Sequence, residues 1–140
     1  VNALLSDALG QAWGRVLLHN ATLTALNLES NAISTRGIES LAEGLRENSA
    51  LRELKLANQR LNFTQQSEEK LAAAININRS LTRLTIDLRS VHARELINQS
   101  LQRNQDQQRR ARLACRTRET GHRRVAAELH DDPCARVAKT

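Results

Sequence analysis

Cys115, His122, His130 and Cys134 are the side chains here best suited to hold a metal, and a zinc site would need them as two close pairs. Their separations of 7, 8 and 4 residues make no pair-plus-pair arrangement, so neither a metal nor any other cofactor is expected. No serine, cysteine or histidine stands in a nucleophile motif, the five glycines form no phosphate-cradling loop, and the acidic residues form no paired site. The expectation is a protein that is not an enzyme. Asn-x-Ser/Thr strings begin at Asn20, Asn62, Asn78 and Asn98, and in a secreted chain they would suggest glycosylation. Asn20 and Asn78, however, fall at equivalent points of an internal repeat, which explains them structurally.

The remaining chemistry is electrostatic. The formal charge is +6, and Arg103, Arg109, Arg110, Arg112, Arg116, Arg118, Arg123 and Arg124 are answered locally only by Asp106 and Glu119. Such a cluster can be a solvated helix face, a steering surface for an acidic protein, or a nucleic-acid contact. Trp13 and Phe63 are the only aromatic residues, so bases would lack stacking partners and nucleic-acid binding is not expected.

The elements that must carry these residues are repeats. Three Leu-x-x-Leu-x-Leu cores recur: Leu23, Leu26, Leu28; Leu51, Leu54, Leu56; and Leu81, Leu84, Ile86, offset by 28 and then 30 residues. Each predicts a short strand with these residues inward, joined five positions later by Ile33, Leu61 or Val91. Thr24, Asn27, Arg52, Lys55, Arg83 and Thr85 alternate with them and should face outward. Helical spacing follows at Ile38, Leu41, Ala42 and Leu45, then at Leu71, Ala72 and Ile75. Further helices are expected at about 3–19 and 94–103. An asparagine stands three residues beyond the last core residue of each helix, at Asn20, Asn48, Asn78 and Asn104, and a left-handed residue ending each helix is the expected reason. Asn31 occupies the usual position for bonding the strand-to-turn backbone, while Gln59 and Arg89 replace it in the next units, which predicts an imperfect ladder. The fold class is α/β: a short leucine-rich-repeat solenoid, three parallel strands alternating with helices, whose period near 28 or 29 resembles the ribonuclease-inhibitor-like subclass.

Residues 26–59 read LNLESNAISTRGIESLAEGLRENSALRELKLANQ, and 104–114 read NQDQQRRARLA. The run Glu29-Ser30-Asn31, the pairs Ile33-Ser34 and Gly37-Ile38, the closing Asn48-Ser49-Ala50-Leu51, and Asn58-Gln59 resemble the C-terminal leucine-rich-repeat domain of tropomodulins and leiomodins. The second string is similar to that family's basic helix after the last repeat. This resemblance, over about residues 4–114, implies an actin-binding module of the kind that acts at filament pointed ends, by capping or nucleation, in the cytoplasm and cytoskeleton. Tropomyosin binding would need regions outside this chain. Contacts are expected at Glu29, Asn31 and Arg36 of the first repeat, Asn58, Gln59 and Arg60 of the second, and Arg109, Arg110 and Arg112. The alternative is a regulatory repeat domain of the same subclass that binds another protein such as a small GTPase.

The expected organisation is a repeat domain at 1–104, a basic capping helix at 105–114, and a flexible tail at 115–140, whose Gly121 and Pro133 interrupt any periodicity. A monomer is expected. A chain that begins at Val1 and contains no methionine is expected to be a fragment or processed product. No apolar run approaches the roughly 20 residues that span a bilayer, so no membrane partner is expected.

Overall fold

The computed structural model describes residues 3–123, with side-chain surroundings for residues 7–118. Along the chain run α1 (Ala3–His19), β1 (Ala25–Asn27), α2 (Thr35–Glu47), β2 (Glu53–Lys55), α3 (Gln65–Ile77), β3 (Arg83–Thr85) and α4 (Val91–Arg123). The chain divides into two compact units, Val1–Asn104 and Gln105–Thr140. The first holds every strand among the described residues. Among the described residues no helix is long and apolar enough to cross a membrane.

The strands pair in parallel in the order β1-β2-β3, with Leu26 beside Leu54 and Leu54 beside Leu84. The period-2 alternation explains this register, since it is the one that turns all three leucines to the same face. Leu54 is fully buried at the centre and Leu26 nearly so, while Leu84, on the outer strand, is half-buried. Ile38, Leu41 and Leu45 of α2 and Leu71 and Ile75 of α3 close the core from the helical side. No single repeat could bury this face alone, so stability comes from stacking.

Two of the three expected turn positions are wrong. Ile33 is buried as expected, but Leu61 is 44% and Val91 67% exposed. Phe63, 30 residues after Ile33, takes the inward place after β2, whereas after β3 the chain enters α4 sooner, burying Leu88 in the turn and Ala93 inside the helix. The turn after β2 is two residues longer than the turn after β1, and that insertion carries Leu61 out to solvent. The capping residues follow the same register: the Ser34 hydroxyl accepts from the Gly37 N–H, and the Thr64 hydroxyl from the Ser67 N–H.

The helix ends also differ from expectation. Asn48 and Asn78 are extended, with φ of −76° and −63°, and the left-handed non-glycine residues are instead Ser30 and Asn58, in the turns. Asn104 ends nothing, since α4 runs through it to Arg123 and therefore also past position 114. What the asparagines share is side-chain bonding. Asn48 Nδ2 donates to the Leu17 and Asn20 carbonyls, Asn78 Nδ2 to those of Leu45 and Asn48, and Asn104 Nδ2 to those of Asn78 and Leu81. The Oδ1 atoms of Asn20, Asn48 and Asn78 accept from backbone N–H groups two and three residues on. Asn48 and Asn78 thus each satisfy carbonyls left open at the preceding helix end and shape the approach to the following strand, whereas Asn20 does only the second and Asn104 only bonds back to the preceding repeat.

Glycines set the packing of α1 on α2. A Cβ at Gly14 would lie 2.4 Å from the Ser40 carbonyl oxygen, and one at Gly44 2.4 Å from that of Gly14. Gly14→Ala is therefore expected to lower stability by about 1–3 kcal/mol through overpacking. Helix propensity alone would raise it by up to about 1 kcal/mol. A thermal melt decides the sign, and a midpoint at or above the parent's would mean the two backbones are not in contact.

Candidate functional site

The turns that follow β1 and β2 stack into one edge of the repeat unit. The Ser30 N–H donates to the Ala57 carbonyl, the Arg60 N–H to that of Asn31, and the Asn58 N–H to Asp87 Oδ2 at 3.0 Å. Ser30 and Asn58 hold the same left-handed conformation, φ 58° and 57°, at equivalent positions. These turns hold five of the expected contact residues, Glu29, Asn31, Asn58, Gln59 and Arg60, and the sixth from the two repeats, Arg36, stands in the first turn of α2 that follows.

Two of those side chains are already engaged by the fold. Asn31 Nδ2 donates to the carbonyls of Leu28 and Glu29. Gln59 Nε2 donates to those of Leu28 and Leu56, while its Oε1 accepts from the Ile33 N–H. Glutamine's extra methylene lets it bridge two repeats, so the ladder expected to be imperfect continues through Gln59. At the third unit the Arg89 side chain cannot accept, and the buried Glu68 of α3 substitutes: its carboxylate accepts from the backbone N–H groups of Arg89 and Ser90. Glu68 lies 30 residues after Ile38, at a position that helical spacing marks as core, so its bonding role leaves no signal in the periodicity.

Available to a partner at this edge are the exposed Arg36, Asn58 and Arg60, with the half-buried Glu29. Among the described residues neither Arg36 nor Arg60 enters an ion pair. Asp87, absent from the sequence-based set, belongs here through its bond to Asn58. On the sheet face Glu53 lies 3.9 Å from Lys55 and 4.0 Å from Arg83, one carboxylate shared between two cations.

Arg103 of α4 binds the end of α3, its guanidinium donating to the Asn76 and Asn78 carbonyls. Burial, and then the nearby charge of Arg79, lowers its pKa from the ordinary value. Arg109, Arg110 and Arg112 are exposed on α4 within the second unit. Among the described residues no group of three or more potential metal ligands gathers. The side chain of His122, with His130 and Cys134, lies outside the described residues. Of the glycosylation strings, Asn78 is buried with both side-chain atoms bonded, whereas Asn62 and Asn98 are exposed.

Residues 1–107 match the family model described as the TMOD/LMOD leucine-rich domain. Rat leiomodin-2 is 31% identical over 121 residues, 86% of this chain and 22% of the relative. Human leiomodin-1 is 33% identical over 112 residues, 80% of this chain and 19% of the relative. The chain thus spans about a fifth of these relatives' length. Among solved structures, one described as leiomodin-1 actin-binding site 2 superposes with a TM-score of 0.76 at 32% identity, covering 81% of this chain and 65% of the other. A tropomodulin C-terminal domain from Caenorhabditis elegans gives 0.69 at 31% identity, covering 77% and 65%.

Proposed function

The chain belongs to the tropomodulin and leiomodin leucine-rich-domain family, and from that premise we propose that it is a non-enzymatic, actin-binding module of the cytoskeleton. The observation that carries this reading is the superposition, over 81% of the chain, on a domain described as an actin-binding site. Rigid repeats present the turn edge as a preformed surface, which lowers the ordering cost of association. Within that edge Glu29, Arg36, Asn58 and Arg60 are the contact residues, with Asn31 and Gln59 holding the turns in shape. The module acts at filament pointed ends, and pointed-end elongation kinetics with and without the protein separate capping from nucleation. Equilibrium binding to monomeric actin tests the edge: Arg36→Ala with Arg60→Ala should weaken affinity about tenfold, and unchanged affinity removes the edge from the reading.

Arg109, Arg110 and Arg112 supply electrostatic steering toward an acidic partner. Replacing all three by alanine should slow association with actin by about threefold to tenfold at low salt, the difference shrinking as ionic strength passes about 0.15 M. Stopped-flow association rates measure this, and a rate indifferent to both substitution and salt would exclude steering. The regulatory alternative would rely on the sheet face, and a GTPase-activation assay beside the actin-binding measurement separates the two.

A further inference from the structure

Asn20, Asn48, Asn78 and Asn104 are equivalent points of the repeat, although only the first three follow a helix end, so the residues just before them are equivalent too: His19, Glu47, Ile77 and Arg103. Ile77 alone of these is apolar, and it is 50% exposed. It lines a groove with Arg46, Ser49, Arg52 and Arg79, on the edge of the repeat unit where the helices end. An apolar residue at a position that is otherwise polar, ringed by arginines, has no role in the core of its own repeat.

Helix-end electrostatics do not account for the arginines either. The carbonyls of Leu45 and Asn48 are taken by Asn78, and those of Asn76 and Asn78 by Arg103. Arg52 and Arg79 are exposed, and among the described residues neither side chain enters an ion pair. Glu47 is the only acid lining the groove and lies 3.9 Å from Arg46. The groove is therefore net positive with an apolar patch, and guanidinium groups bind carboxylates in paired, directional hydrogen bonds.

We propose that this groove docks an extended acidic segment of a partner protein, with carboxylates on Arg52 and Arg79 and an apolar side chain against Ile77. It is a second interaction surface, separate from the turn edge, and it does not depend on the actin reading.

The test is amide chemical-shift mapping on the full 140-residue chain. The probe is a short blocked peptide of alternating Glu and Asp around one central Leu. Because the arginines beyond Asn104 also attract polyanions, the site is read by residue. Saturable shifts at Ser49, Arg52, Ile77 and Arg79 are expected. Arg52→Ala with Arg79→Ala should weaken them about tenfold, and Ile77→Ser about threefold to fivefold, with core amide positions unchanged as proof of folding. Replacing the central Leu of the peptide by Gly should reproduce the Ile77→Ser loss. Shifts confined to residues 105–140, shifts indifferent to the Arg52 and Arg79 substitutions, or none at all would overturn the proposal. So would oligothymidylate of equal charge giving the same groove shifts with equal affinity.

Discussion

Asn78→Ala should lower unfolding free energy by about 4 kcal/mol, a large share of the roughly 5–15 kcal/mol that holds a domain folded. Asn78 is 2% exposed, and its amide bonds two carbonyls of the preceding repeat and two N–H groups of the following strand entry. Removing it leaves the carbonyls of Leu45 and Asn48 and the N–H groups of Ser80 and Leu81 without their partners. Each buried group left unpaired costs about 1–3 kcal/mol, and water entering the vacated space recovers part of the sum. Asn78→Asp separates the roles, since it keeps the acceptor but places an oxygen against two carbonyls. It should be at least as damaging at neutral pH. Asn20 is the internal control: its Oδ1 accepts from the N–H groups of Thr22 and Leu23, and among the described residues no earlier repeat supplies carbonyls for its Nδ2. Asn20→Ala should cost about 1 kcal/mol. Urea unfolding of the three variants gives the ranking, and equal losses at Asn20 and Asn78 would show that bonding between repeats contributes nothing.

Leu54→Ala should cost about 2–5 kcal/mol, because Leu54 is completely buried in the central strand, between Leu26 and Leu84, and neighbours held by their own repeats cannot collapse into the cavity. Leu61→Ala, the same chemical change seven residues later, should stay within about 0.5 kcal/mol, since Leu61 is 44% exposed. The pair tests the register directly. A uniform 28-residue period makes both leucines core, whereas the longer turn after β2 makes only one so. Comparable losses at the two positions in thermal or urea unfolding would return Leu61 to the interior and refute the register. Phe63→Ala provides the complementary check, with an expected loss of about 3–5 kcal/mol.

The repeat pattern was legible because leucine spacing is a local property. The Leu-x-x-Leu-x-Leu cores located all three strands, the apolar spacing located α2 and α3, and the span 3–19 matched α1. The strings around Glu29 to Asn31 and Asn48 to Leu51 were enough to suggest the family that the comparisons then established. The site was legible to a lesser depth. Its residues could be gathered from their equivalent turn positions, but Asn31 and Gln59 were indistinguishable in sequence from side chains open to a partner. Ile77 carried a faint signal, being apolar where His19, Glu47 and Arg103 are polar, and it becomes meaningful only once Arg52 and Arg79 are brought beside it.

By itself, then, the amino-acid order determined the α/β repeat, its parallel pairing and the family it belongs to, because hydrophobic periodicity and short motifs act over a few residues. Tertiary structure alone decided that the asparagines work by bridging repeats and not by a left-handed backbone, that α4 passes through Asn104, that Glu68 serves the turn at Arg89 and Ser90, and that Leu61 faces water. The physical reason is distance along the chain. An amide about thirty residues from its acceptor, or a turn lengthened by two residues, changes nothing in the local pattern, yet stacking the repeats determines which carbonyl, which N–H and which cavity each side chain meets.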